Sequence, residues 1–222
     1  MAKIMFALSL ALNFLAAAFF IKPKPPVSPP KPLPPLYTVT KVDDGDSIAA
    51  TRGGDSLVTY FRLMNVDAPD LGQCGYAESK KTLTDLIEGK QVNLDIFEND
   101  KYNRPLIIVR LGDIIANEYI VSSGWARYKS GLSSISTTLQ KISAQNKIKQ
   151  IGVFNPNCLQ PVNPANSECV IKGNVNNSHK IYFLPGCGTY STVDLALDQG
   201  DQWFCTEEEA QAAGFVKSQN CH

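Results

Sequence analysis

Five short runs of alternating apolar and polar residues, separated by turns rich in glycine, aspartate and asparagine, constrain this chain more than any other feature. "YTVTKV" opens at Tyr37 with the two-residue period of a half-buried strand. "DDGDS" is a turn, "SIAAT" a second strand, "RGGDS" a glycine hairpin and "LVTYFRLMNV" a third strand. In "GYAESKKTLTDLIEG" the spacing becomes helical, with Leu83, Leu86 and Ile87 on one face and Gly89 as a C-terminal stop. Strands resume in "QVNLDIFE" and, after the turn "NDKYN", in "RPLIIVRL". A short helix in "IANEYIVSSG" and a longer one from Ser136 to Gln150 close the segment.

Five strands with helices after the third and fifth predict an α+β domain over residues 37–160: a five-stranded Greek-key barrel of the OB type with three helices. The 222-residue length leaves room for one such domain and a smaller one, and 44% hydrophobic with 19% charged residues excludes a disordered chain. Net charge is zero, so the whole molecule exerts no long-range pull on polyanions. Residues 1–36 carry four lysines and no acid, residues 37–160 balance fourteen bases with fourteen acids, and the remainder is acidic. Contact with nucleic acid must therefore come from a local patch.

Lys3 is followed by eighteen uncharged, mostly apolar residues, Ile4 to Ile21. That length is long for a signal-peptide core and marginal for a bilayer of about 30 Å, so residues 1–22 read either as a cleaved signal peptide or as a membrane anchor. Both imply export, to the exterior or to an outward-facing membrane tether. Residues 23–36 form a proline-rich linker, with eight prolines between Pro23 and Pro35. Such a run precludes helix and ladder, and a polyproline II spacer of this length reaches about 40 Å.

Six cysteines in an exported chain point to disulfides. Cys74 and Cys158 are the two within the barrel segment and would tie its first loop to its last. Cys169, Cys187, Cys205 and Cys221 fall in a small module over residues 165–222, where two disulfides compete with zinc. No pair there has the two-to-four-residue spacing of structural zinc sites.

The first turn crowds Asp43, Asp44 and Asp46 around Gly45, and Asp67 supplies a further carboxylate at the end of the third strand. If the barrel brings Asp46 and Asp67 together, their oxygens and a neighbouring carbonyl suit a hard cation such as Ca²⁺; the plain alternative is a solvated acidic turn. Arg62 precedes Asp67 and Asp70 in "FRLMNVDAPD", and Arg104 sits in "DKYNRP", where Asn103 can adopt the left-handed conformation. Guanidinium forks match phosphate oxygens and stay charged. A metal and two arginines around a carboxylate are what phosphodiester hydrolysis needs, the cations stabilising charge while the carboxylate handles water. Taken singly, each arginine also reads as an ion-pair partner, and Arg62, Asp67 and Asp70 together as a fold-holding network. The two histidines, His179 and His222, lie outside the barrel segment, which argues against histidine bases.

The ordered strings "VDDGDSI", "FRLMNVDAPD", "GYAESK", "NDKYNRPL" and "NEYIVSSGWA" resemble the staphylococcal nuclease (thermonuclease) family over Thr38 to Phe154. The resemblance implies Ca²⁺-dependent cleavage of DNA and RNA by an OB-fold barrel. By position it makes Asp46, Asp67 and the carbonyl of Ala68 the Ca²⁺ ligands, and Arg62, Asp70 and Arg104 the catalytic residues. Lys101 and Tyr102 match residues lining the nucleotide's phosphate and sugar. The family most often has glutamate where Asp70 stands, and the missing methylene draws the carboxylate back by about 1.5 Å.

The tail, with "IKGN", "KIY", "PGC", "WFCTEEEA" and "AAGF", is similar to the small module that follows exported bacterial members of this family. Thr206 before three glutamates reads as a helix cap, and Trp203, Phe204 and Phe215 as a mini-core supported by disulfides. The expected function is an exported, monomeric, calcium-dependent endonuclease. The alternatives are an impaired OB module that binds single-stranded nucleic acid and a wall-associated scaffold.

Overall fold

The computed structural model describes residues 36–176 and 179–221. The leader at residues 1–22, and all of the proline linker except Leu36, lie outside the described residues. Among the described residues no helix is long and apolar enough to cross a membrane.

The acidic turn joins β1 (Leu36–Val42) to β2 (Ser47–Arg52), and the glycine hairpin joins β2 to β3 (Val58–Leu63), both pairs antiparallel. There follow β4 (Val66–Asp67), α1 (Tyr76–Ile87), β5 (Gln91–Asn99), β6 (Pro105–Leu111), β7 (Ile114–Ile115), α2 (Ala116–Ser122), β8 (Arg127–Tyr128) and α3 (Ser136–Lys149). β1 pairs with β5 and β5 with β6, all antiparallel. Parallel pairing of β3 with β6, Arg62 opposite Leu106 and Leu63 opposite Ile107, then closes the five strands into a barrel. Closure gives each of the five strands a partner on both sides and sends alternate side chains inward. Val39, Ile48, Phe61, Leu63, Val92 and Ile107 are buried there, with Leu83 and Ile87 of α1, Ile120 of α2 and Leu139 of α3 packed in the same core. The five-stranded barrel with three helices is the one the alternation predicts.

The third strand ends earlier than its apolar run implies. Asn65 takes φ +60°, a left-handed conformation that asparagine tolerates, and the chain turns there before β4 pairs with β8. The turn is pinned from a distant segment. Asn65 Nδ2 donates to the Lys129 carbonyl at 3.0 Å, the Lys129 N–H donates to the Asn65 carbonyl at 3.0 Å, and Ser133 donates to Asn65 Oδ1 at 2.6 Å.

The tail adds β9 (Leu159–Gln160), β10 (Ile171–Asn176), β11 (His179–Phe183), β12 (Leu195–Ala196), β13 (Gln202–Phe204), α4 (Glu207–Ala212) and β14 (Val216–Lys217). Four of these strands form a sheet in the order β13-β10-β11-β14. Its core is Ile171, Tyr182, Phe204, Ala210 and Phe215, with Phe204 and Phe215 in edge contact at 5.1 Å. Trp203 is not part of it. Side chains alternate along a strand, so Trp203 faces away from its neighbour Phe204 and donates its indole N–H to Gln160 Oε1 at 2.8 Å. Thr206 caps α4 as expected, accepting from the Glu209 N–H at 3.2 Å.

All six cysteines are paired: Cys74–Cys158, Cys169–Cys205 and Cys187–Cys221. Two disulfides, not zinc, staple the tail, which suits an oxidising compartment. The tail is also bonded to the barrel. Arg127 on β8 forms a bidentate ion pair with the buried Asp198 at 2.5 and 2.8 Å, and the Cys74 N–H donates to the Leu197 carbonyl at 3.4 Å.

Candidate active site

Arg62 on β3 lies directly across from Ser47 on β2, so its side chain meets Asp46 where the acidic turn enters that strand. Arg62 Nη1 donates to Asp46 Oδ1 at 2.8 Å, and Nη2 lies 2.8 Å from Asp46 Oδ2 and 3.0 Å from Asp67 Oδ1. One guanidinium therefore bridges the two aspartates. The turn at Asn65 makes this possible by directing Asp67 back toward the strand it has just left. Asp46 also accepts from the Ser47 hydroxyl at 2.9 Å and the Ala68 N–H at 2.9 Å. Gly45 is required by close packing: a Cβ there would stand 1.8 Å from Ser79 Oγ and 2.8 Å from Ala68 Cβ.

Asp46 is only 2% exposed. Burial raises its pKa from the ordinary carboxylate value to about 7, Arg62 opposes the rise, and the charge of Asp44 adds to it. The bonds from Ala68 and Ser47 pull the other way without overcoming burial.

Arg104 enters from the turn after β5. Asn103 holds φ +62°, the left-handed conformation expected of it. Asp100 organises this turn, accepting from the backbone N–H groups of Tyr102 and Arg104 at 2.9 Å each and from the Arg104 guanidinium at 2.8 and 2.9 Å. Burial pushes the Asp100 carboxyl up, but these bonds outweigh it and leave its pKa below the usual range. Arg104 Nη1 reaches Ser47 Oγ at 3.3 Å, which brings the second arginine to the strand across from the first. Lys101 and Arg104 both lie over the exposed Tyr102 ring, at 4.9 and 5.5 Å from its centre.

A cleft of about 860 Å³ gathers these groups. Arg62, Asp67, Ala68, Asp70, Lys101, Tyr102 and Arg104 all line it, and Asp46 lies beneath, bonded to Arg62 and Ala68. Asp70 shares the cleft but is exposed, and its carboxylate bonds to neither Arg62 nor Asp67; its N–H donates to Gln73 Oε1 at 2.7 Å. Four contributors escape a reading of the sequence. Asp100 positions Arg104, Lys129 pairs with Asp67 at 2.7 Å, and Asp198 and Gln199 bring the tail to the cleft wall. Only Asp100 had a local signal, as an aspartate opening a tight turn; the others act across more than sixty residues. Among the described residues no cysteine lines the cleft, although Cys74 follows Asp70 closely in the chain.

The donor set suits a hard cation. Asp46, Asp67 and the Ala68 carbonyl offer only oxygen, Asp44 adds negative charge beside Asp46, and a buried carboxylate with a raised pKa gains from a nearby cation. Among the described residues no three His, Cys, Asp or Glu side chains converge into a cage. An ion here would draw on two carboxylates, a carbonyl and solvent.

The model of the family described as "Staphylococcal nuclease homologue" matches residues 60–155. A protein of Escherichia coli O157:H7 named "Uncharacterized endonuclease" is 30% identical over 112 residues, covering 49% of this chain and 72% of that protein. The chain belongs to the staphylococcal nuclease family. A Haemophilus influenzae protein of the same printed name is 37% identical over 89 residues, 40% of this chain, and the match spans 49% of that protein, about half its length. The family match begins within β3 and ends just beyond α3, so it covers Arg62, Asp67, Ala68, Asp70, Lys101, Tyr102 and Arg104 but not Asp46.

Proposed function

We propose that this protein is an exported, monomeric, calcium-dependent nuclease that hydrolyses phosphodiester bonds of DNA or RNA. The observation that carries this reading is the gathering of two arginines, a lysine, an exposed tyrosine and paired aspartates in one cleft of a staphylococcal nuclease barrel. The endonuclease names of the two relatives point the same way. Three disulfides support export.

In this reading Asp46, Asp67 and the Ala68 carbonyl would hold Ca²⁺, which would supply positive charge to offset that of the phosphate. Arg62 and Arg104 donate to the non-bridging oxygens and stabilise the pentacovalent arrangement as charge accumulates there. Asp100 keeps the Arg104 fork aimed, so less side-chain entropy is lost on meeting phosphate. Asp70 orients a water molecule and accepts its proton as oxygen attacks phosphorus, and the leaving oxygen takes a proton from solvent. Lys101 and Tyr102 hold the nucleotide's phosphate and sugar.

Digestion of single-stranded DNA by the purified protein tests the proposal. Cleavage is expected with millimolar Ca²⁺ and none in EGTA. Binding without cleavage in Ca²⁺ would mark a non-catalytic OB module, and neither would mark a scaffold.

The water-handling role of Asp70 has its own test. Its carboxylate is exposed on the cleft wall and accepts no hydrogen bond among the described residues, so a longer side chain has room to extend. Asp70→Glu is expected to raise kcat by up to about 10²-fold, the scale on which a 1 Å error in placement costs rate. An unchanged or lower kcat would remove Asp70 from that role.

A further inference from the structure

We propose that the tail's turn Leu197–Gly200 forms one wall of the substrate cleft and that Gln199 hydrogen-bonds there to a nucleobase edge of the bound strand. The proposal rests on the nuclease reading and gives the C-terminal region a substrate-binding part in it. Asp198 and Gln199 face the same cleft as Asp67, Asp70 and Arg62 although they lie far along the chain from them.

The turn is held as a binding wall must be. Both Asp198 oxygens take the Arg127 fork, and Arg127 is the β-partner of Asp67, so the tail is fastened one strand away from a proposed Ca²⁺ ligand. The Leu197 N–H donates to the Cys158 carbonyl at 2.8 Å, and Asp201 accepts from the Ala196 and Val175 N–H groups at 2.8 and 2.7 Å. Gly200, at φ +87°, comes so close to the Asp70 loop that a Cβ on it would lie 3.3 Å from Gln73 Nε2. Gln73 Oε1 in turn holds the Asp70 N–H. The wall therefore backs the loop that carries Asp70.

Within this rigid turn Gln199 is under-used. Its Nε2 makes only two long contacts of 3.4 Å, both to Asp198, and its Oε1 accepts no hydrogen bond among the described residues. A half-buried amide on a fixed turn offers a donor and an acceptor together, the complement of a base edge. A wall built only for shape would need neither.

The test uses the full chain with a single-stranded oligonucleotide for kinetics and a phosphorothioate-linked fluorescent analogue for binding by anisotropy. Gln199→Ala is expected to raise KM and Kd together by roughly two- to tenfold, the worth of one neutral hydrogen bond, with kcat and the melting temperature unchanged. Gln199→Glu, which keeps the shape but replaces donors with negative charge, should raise both further. Unchanged KM and Kd would overturn the proposal, as would a joint fall of kcat and melting temperature, the mark of a merely structural residue. If wild type cleaves and Gln199→Ala matches it, only the wall proposal fails. If wild type binds without cleaving, the nuclease reading fails and the Kd comparison still decides the wall. Wild type that does neither overturns both.

Discussion

Arg62→Ala is expected to lower kcat by about 10²–10³-fold, the usual cost of deleting a donor aimed at transition-state charge. It is also expected to destabilise the fold by about 3–5 kcal/mol, because removing one partner of a buried pair leaves the other charge uncompensated. Asp46 is the charge in question, 2% exposed and bonded to both ends of the Arg62 fork. The pH dependence of the loss distinguishes this cause from simple cavity formation. A carboxyl whose folded pKa is raised contributes stability that is complete below its unfolded value and is lost as pH rises through the folded value, here about 7. Without Arg62 the rise is larger, so the stability deficit relative to wild type should be greater at pH 8 than at pH 5. Denaturant unfolding in EGTA at the two pH values measures it, and a pH-independent deficit would disprove the account. Arg62→Lys, which keeps charge but not the fork, should recover part of the stability and little of the activity.

Replacing both Cys74 and Cys158 by serine is the second large effect. The bond spans 84 residues, and in the chain-entropy account closing a loop of that length restrains the unfolded state by about 4 to 5 kcal/mol. Cys158 is buried against the junction where the tail meets the barrel: the Leu197 N–H reaches the Cys158 carbonyl, and the Cys74 N–H reaches the Leu197 carbonyl at 3.4 Å. The double serine variant should lose about 2–5 kcal/mol of unfolding free energy. Cleavage should fall with it at temperatures where the variant is still folded, because Cys74 anchors the loop that carries Asp70. Full activity in a destabilised variant would show that the bond serves stability alone.

The barrel and its candidate chemistry were largely legible because their signals are local. Each strand carries its own alternation, Gly89 stops its own helix, and Asp46, Arg62, Asp67 and Arg104 stand in short strings whose residue types already imply charge neutralisation. The third strand misled because Met64 and Val66 continue its apolar character. Its break depends on Asn65 bonding to Lys129 and Ser133, contacts more than sixty residues away. Trp203 misled because an aromatic pair in a small module looks like one core until the strand direction separates the two rings.

The order of residues along the chain was enough to specify a five-stranded barrel, cysteines able to pair, and an acidic turn with two arginines, since propensity, period and charge are properties of neighbours. Whether those charges would meet was a matter of register. Pairing Arg62 with Ser47 and Asp67 with Arg127 makes one guanidinium bridge two aspartates and carries the tail to the cleft. Such registers arise from packing between distant segments, where burial and loop closure are decided together, and no local pattern encodes them.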